Sequence, residues 1–216
     1  MQIIPSVLVQ SKEEYIKQIT GVQDSVEMIQ LDIADGNFVP NTTWADPDVV
    51  EEYTNIDIEL HLMVKDPVKE LKRWTATEVV KRILVHFESV DDFASTLEQL
   101  KKYDWEIGVV INPNTSIESI EPHLSDLSSV MFMGVVPGFQ GQGLIPEVLE
   151  KIINFNSKYS HIFTEIDGAV NLETLPDIIQ TEVKAICPGS AVFGKGNPAD
   201  NVVEINNIIN RLTNRG

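Results

Sequence analysis

The apolar positions of the chain fall into short, almost continuous runs that are rich in β-branched residues. Such runs are typical of β-strands covered on both faces. Eight of them recur, at residues 3–8, 28–33, 56–63, 82–87, 106–112, 129–135, 162–167 and 183–187. Between them lie segments with helical spacing of apolar residues, as in 93–100, 148–153 and 202–212. The pattern therefore predicts strands and helices in regular alternation.

Three dipeptides mark helix starts independently of this periodicity. Each places a capping residue before a proline, at Asp46-Pro47, Asp66-Pro67 and Asn197-Pro198. About eight strand–helix units in 216 residues favour a (β/α)8 TIM barrel, one α/β domain over residues 1–216. An open, doubly wound sheet is the alternative. It is less favoured because no Gly-x-Gly follows the first apolar run.

Composition narrows the classes of partner. Lys and Arg number 16 against 33 Asp and Glu, which gives a net charge of −17. Such a field repels nucleic acid and anionic lipid, so neither nucleic acid nor a membrane is an expected partner. No apolar run approaches the ~20 residues that cross a bilayer, and Cys187 is the single cysteine. We therefore expect a cytoplasmic protein without disulfides.

Polar residues at the carboxyl ends of the apolar runs are the candidates for function, since barrel enzymes place their sites there. They are Ser6, Asp32, Asp35, His61, His86, Glu88, Asn112, the loop 137–143, Asp167, Gly189 and Ser190. An isolated aspartate at a strand end can simply cap a turn. Two carboxylates on opposed strands, Asp32 and Asp167, instead suit removal of a proton from one face of a carbon and its return from the other.

The same residues also form a candidate metal set. His61 lies in an apolar run and could be a packing histidine. With Asp32 and Asp167, however, it completes a mixture of oxygen and nitrogen donors that suits Zn²⁺, Fe²⁺ or Mn²⁺. Gln30 is two residues from Asp32 and shares its strand face, which makes it a weak fourth candidate. The set is suggestive but incomplete.

Two glycine-containing turns close the last two predicted strands. Gly168-Ala169 and Gly189-Ser190 occupy the loops where barrels of this kind hold a phosphate on backbone N–H groups. Local dipoles of this sort could hold an anion despite the negative net charge. The glycine-rich loop 138–143 predicts a lid over the site, with a plain surface loop as the alternative.

The motifs taken together resemble the ribulose-phosphate 3-epimerase family over nearly the whole length. They are Ile4-Pro5-Ser6, residues 32–41, 61–64, 86–88, 112–115 and 133–142, Asp167-Gly168, and residues 189–193. The resemblance implies a barrel of the ribulose-phosphate-binding type and a role for the protein in the pentose phosphate pathway. It also implies interconversion of D-ribulose 5-phosphate and D-xylulose 5-phosphate, or of a related phosphoketose, through an enediolate.

The resemblance further implies roles for individual residues. Asp32 and Asp167 would be the acid–base pair. The implied substrate contacts are Ser6, His61, Met63, Met133, Gly138, Phe139, Gln140, Gly141, Gly168, Ala169, Gly189 and Ser190. Asp32, His61 and Asp167 would bind a divalent metal. No nucleotide cofactor is expected, the partner is a small sugar phosphate, and a homo-oligomer is compatible with the family.

The sequence departs from the family pattern at the metal site. Where the family has a histidine two residues before the first catalytic aspartate, this chain has Gln30, so we expect metal binding to be weak or absent. Three interpretations follow. The chain is a working epimerase, a phosphosugar epimerase or isomerase of other specificity that needs little or no metal, or a catalytically silent phosphosugar-binding protein.

Overall fold

The computed structural model describes residues 1–138 and 142–213. Within these ranges nine strands, all parallel to their neighbours, form one sheet. They are β1 (Gln2–Ile3), β2 (Ser6–Val7), β3 (Met28–Ala34), β4 (Asp57–Met63), β5 (Val80–His86), β6 (Glu106–Ile111), β7 (Ser129–Met133), β8 (Phe163–Asp167) and β9 (Ala185–Cys187). Every apolar run of the sequence analysis overlaps one of them, and the first run overlaps the short pair β1 and β2.

The sheet closes through residues 2–7. β1 pairs with β9, and β2, only two residues further on, pairs with β3. The segment 2–7 thus fills one strand position between β9 and β3. The sheet is therefore a barrel of eight strand positions, which confirms the predicted (β/α)8 fold.

Helices follow the strands in the expected alternation. They are α1 (Lys12–Val22), α2 (Pro47–Tyr53), α3 (Pro67–Leu71), α4 (Phe93–Leu100), α5 (Pro146–Lys158), α6 (Leu175–Ile179), α7 (Ser190–Phe193) and α8 (Pro198–Thr213). All three predicted starts are confirmed with their side-chain caps. The carboxylate of Asp46 accepts from the N–H groups of residues 48 and 49, and that of Asp66 from residue 69. At the third, Asn197 Oδ1 accepts from the N–H groups of residues 199 and 200, and α8 begins at Pro198. Short 3₁₀ turns occupy the β6–β7 connection.

Alternation along the strands separates an apolar core outside the sheet from one inside it. The larger lies between the sheet and the helices and contains outward-facing strand residues such as Leu31, Leu60 and Ile166. The smaller comprises Ile4, Met28, Leu84, Val110, Met131, Met133, Ala185 and Cys187. Since strand neighbours two apart share a face, these residues face the barrel interior, where Met133 and Cys187 are register partners of Asp167.

Gly108, on β6, tests how tightly this interior is packed. A methyl group on its Cα would overlap Ser129 Oγ and lie 2.5 Å from Leu84 Cδ2. We expect Gly108→Ala to lower the free energy of unfolding by about 1–3 kcal/mol, because an overpacked core forces side chains off their rotamers. Urea denaturation measures the loss.

Gly143→Ala is the matched control, since nothing lies within 4 Å of the added methyl group there. Its stability should stay within about 0.5 kcal/mol of the unmodified chain, as surface substitutions do. Equal effects at the two positions would show that the barrel interior is not packed as described.

No helix in residues 1–138 and 142–213 combines the length and the apolar character that a membrane crossing requires. One domain over residues 1–216 stays a prediction.

Candidate active site

The carboxyl ends of β3, β4 and β8 bring the predicted polar residues together. Asp32 on β3 and His61 on β4 are partners in the strand register, and Asp167 is the last residue of β8. All three side chains are buried. The ligand atoms of the three lie within 4.8 Å of one another. The structure therefore places these sequence candidates in one cluster at the barrel mouth.

Gln30 lies two residues before Asp32 on the same face of β3, and its side chain reaches the centre of this cluster. Its Nε2 lies 2.7 Å from Asp32 Oδ1 and 3.0 Å from Asp167 Oδ2, and donates to both. The same nitrogen is 3.2 Å from His61 Nδ1. The two carboxylates, which come from strands far apart in the sheet order, are thus joined through one amide group.

His61 connects the acids to a second histidine, His86, which the sequence analysis also names as a candidate. The Nδ1 atom of His61 is 2.9 Å from Asp32 Oδ1, and its Nε2 is 2.8 Å from His86 Nε2. Behind it, Glu88 accepts hydrogen bonds from the Asn112 N–H and the Thr115 hydroxyl. The chain of contacts fixes the orientation of the His61 ring.

Burial and neighbouring charges shift the protonation of this cluster. Burial, and next the negative charge of Asp32, raises the pKa of Asp167 to about 6. Burial lowers the pKa of His86 to about 4, so its ring is neutral at pH 7. For His61, burial acts downward but the hydrogen bond and charge of Asp32 outweigh it, and its pKa is raised.

Three of the residues fit a divalent ion. Around a tetrahedral ion with ligand distances of about 2.0–2.2 Å, donor atoms lie roughly 3.4 Å apart. The separations from His61 Nδ1 are 2.9 Å to Asp32 Oδ1 and 3.5 Å to Asp167 Oδ2. Gln30 as oriented turns an N–H2 group, which has no free lone pair, toward the same centre.

The two candidate phosphate loops lie beside this cluster. Gly168 and Ala169 both have positive φ, 96° and 56°, so the chain takes an unusual backbone conformation directly after β8. Ala169 is strained there, and its carbonyl is held by Thr174 Oγ1 at 2.6 Å. In the neighbouring loop Gly189 precedes α7 directly, and a methyl group on Gly189 would lie 2.9 Å from Ser6 Oγ.

The remaining predicted contacts divide into two groups. Met63 and Met133 are the last residues of β4 and β7, and both are buried. Gly138, with φ 104°, packs against Val39 and Pro40 of the β3 loop. Phe139, Gln140 and Gly141, which the sequence analysis assigns to a lid, lie outside the described residues.

Sequence reasoning missed a layer of buried charge below the site. Arg82 Nη1 lies 2.9 Å from Glu59 Oε2 and 3.3 Å from Glu165 Oε1, and Arg82 Nε is 2.9 Å from Glu106 Oε2. Glu59 and Glu165 are fully buried. Their spacing was the available signal, because they stand two residues before His61 and Asp167 on the same strand faces.

Comparison with known proteins agrees with this arrangement. Residues 2–193 match the model of the ribulose-phosphate 3 epimerase family. The ribulose-phosphate 3-epimerase of Bacillus subtilis is 31% identical over 214 residues, 95% of this chain and 98% of that protein. The chain belongs to the ribulose-phosphate 3-epimerase family. The family member from Mycobacterium bovis is 30% identical over 207 residues, 91% of this chain and 88% of that protein.

Solved structures of other enzymes share the fold of this epimerase-family chain. KGPDC from Streptococcus mutans, solved in complex with D-R5P, superposes with a TM-score of 0.78 at 12% identity, over 98% of each chain. The 3-hexulose-6-phosphate synthase from Salmonella typhimurium gives 0.72 at 11% identity, over 98% of this chain and 100% of that one. At such low identity these matches show the barrel fold alone.

Proposed function

We propose that this chain is an epimerase that interconverts D-ribulose 5-phosphate and D-xylulose 5-phosphate by proton transfer between two carboxylates. One observation carries the proposal. Asp32 Oδ1 and Asp167 Oδ2, from separate strands, both lie within 3.0 Å of a single atom, Gln30 Nε2, at the barrel mouth. Family membership supports the choice of substrate.

The reaction needs a base and an acid on opposite sides of one carbon. The C–H bond beside a ketone is weakly acidic, so a carboxylate must remove its proton as an enediolate forms. With the pKa of Asp167 at about 6, a fraction of this carboxyl is protonated near neutral pH, and it would serve as the acid of the pair. The ionised carboxylate takes the proton from C3, and the protonated one returns its own to the other face.

The balance of the step is one C–H bond broken and one formed, with inversion at C3. The two aspartates exchange protonation states in each turnover, and the reverse reaction uses them in exchanged roles. Backbone N–H groups at Gly168, Ala169, Gly189 and Ser190 would hold the phosphate. A divalent ion held by Asp32, His61 and Asp167 would add an electrophile for the enediolate oxygens.

Incubation with D-ribulose 5-phosphate in deuterated water tests the proposal. We expect the C3 proton signal to vanish from the ¹H NMR spectrum while D-xylulose 5-phosphate accumulates, because the abstracted proton exchanges with solvent. The reaction is run after dialysis against EDTA and again with Zn²⁺, Fe²⁺ or Mn²⁺ added. Saturable binding of the sugar phosphate with no label under any condition would contradict enzymatic activity and leave a binding protein.

A further inference from the structure

The amide of Gln30 lies between the carboxylates of Asp32 and Asp167, where a bound cation could also lie. An amide nitrogen carries two hydrogens, and here both are directed at carboxylates, at 2.7 Å to Asp32 and 3.0 Å to Asp167. Hydrogen bonds to an ionised acceptor are stronger than those between neutral groups. Gln30 therefore holds two like-charged groups together without an ion.

The orientation of the amide follows from its surroundings. With nitrogen and oxygen exchanged, Gln30 Oε1 would face the oxygens of Asp32 and Asp167 at hydrogen-bonding distance, with no proton between them. The observed orientation avoids that repulsion but leaves Oε1 buried without a partner in the described part of the chain. An unpartnered buried carbonyl costs free energy, so the bridge must outweigh that cost.

The four side chains nevertheless have the spacing of an ion's ligand shell. Gln30 Nε2 is 2.7 Å from Asp32 Oδ1, 3.0 Å from Asp167 Oδ2 and 3.2 Å from His61 Nδ1, the three atoms that would bind an ion. It stands where a fourth ligand atom would stand, but presents hydrogens instead of a lone pair. Rotation about the last side-chain bond of Gln30 exchanges the two atoms and places Oε1 at that point.

We propose that Gln30 is a two-position residue: its N–H2 group bridges Asp32 and Asp167 in the ion-free protein, and its Oε1 faces a divalent ion when one binds. Ion binding then competes with two internal hydrogen bonds. The site keeps its geometry without an ion and binds one weakly. The inference rests on the site of the proposed function, but not on turnover.

The amide protons of Gln30 report the bridge directly. In protein labelled with ¹⁵N-glutamine and dialysed against EDTA, the Gln30 resonances are identified by their loss in Gln30→Met. We expect their exchange with deuterated water to be roughly tenfold or more slower than that of exposed Gln99, because bonded, buried N–H groups are protected. Added Zn²⁺ should shift these resonances and speed their exchange, saturating at about one ion per chain.

Two variants complete the test. Gln30→His offers the lone pair of a ring nitrogen, and ion binding to this variant breaks no amide bridge. We therefore expect its Zn²⁺ dissociation constant, measured by calorimetry, to fall at least about tenfold. It also identifies the Gln30 signals if Gln30→Met does not fold. Gln99→Met is the control and should leave the Zn²⁺ titration unchanged.

Three results would overturn the inference: ion-free exchange as fast as that of Gln99, Zn²⁺ binding that leaves the Gln30 signals unmoved, or a Gln30→His variant with unchanged affinity. Failure of Zn²⁺ to bind at millimolar concentration would also overturn it. Because none of these readouts needs substrate, an inactive chain could pass and an active epimerase could fail.

Discussion

Asp167→Asn should lower kcat/KM for D-ribulose 5-phosphate by about 10³-fold or more. A positioned acid or base contributes roughly 10²–10⁴-fold, and asparagine can neither take nor give the proton at neutral pH. The replacement is nearly isosteric, and its amide oxygen can still accept from Gln30 Nε2, which lies 3.0 Å from Asp167 Oδ2. A coupled assay for D-xylulose 5-phosphate measures the change.

The same variant should keep its affinity for a non-reacting sugar phosphate within about threefold, since the proposed phosphate contacts come from backbone N–H groups. Asp177→Asn, at an exposed position in the first turn of α6, is the matched control and should leave kcat/KM unchanged. Turnover in Asp167→Asn equal to that of the unmodified chain would remove the residue from the mechanism.

Arg82→Met should lower the free energy of unfolding by about 3–5 kcal/mol, the cost of leaving buried charges without their partner. Arg82 Nη1 serves both Glu59 and Glu165, which are fully buried, and the guanidinium carbon lies 4.8 Å from the centre of the Phe163 ring. Urea denaturation at pH 8 measures the loss. Lys81→Met, at the exposed neighbouring position, is the control.

The deficit of Arg82→Met should shrink as the pH falls from 8 to 5. Burial, together with the charge of Glu165, raises the pKa of Glu59 above its usual value even with Arg82 present, and burial raises that of Glu165. A carboxyl whose folded-state pKa is raised binds protons more tightly in the folded chain. It therefore stabilises the fold at low pH and costs stability as the pH rises.

A triple variant separates charge from packing. Arg82→Met with Glu59→Gln and Glu165→Gln removes the uncompensated carboxylates, and we expect it to recover most of the lost stability. A triple variant as unstable as Arg82→Met alone, together with a deficit that does not change with pH, would mean that the arginine acts through its packing against Phe163.

The fold could be predicted from the sequence because its signals are local. Continuous apolar runs predicted the positions of the strands, and Asp46 and Asp66 cap their helices as predicted. Strand ends also located the acid pair, since parallel strands deliver their carboxyl ends to one side of the barrel. Those inferences need only spacing along the chain.

The contacts across the barrel could not be predicted in the same way. Which atom of Gln30 faces Asp32 and Asp167 depends on the charges that three strands bring together. The 2.8 Å contact between His61 and His86 depends on ring orientation. Arg82 and Glu165 stand far apart in sequence, so their pairing becomes visible only when the sheet has closed. Parity along each strand shows which residues point inward, but not which of them meet.

The sharing of one strand position by β1 and β2 has a consequence for biosynthesis. The ribosome makes β1 long before its β9 partner at Ala185–Cys187. Until β9 is made, the growing sheet has an open edge with unpaired N–H and C=O groups, and open edges of this kind promote aggregation. Completion of the cylinder therefore waits until β9 has been made.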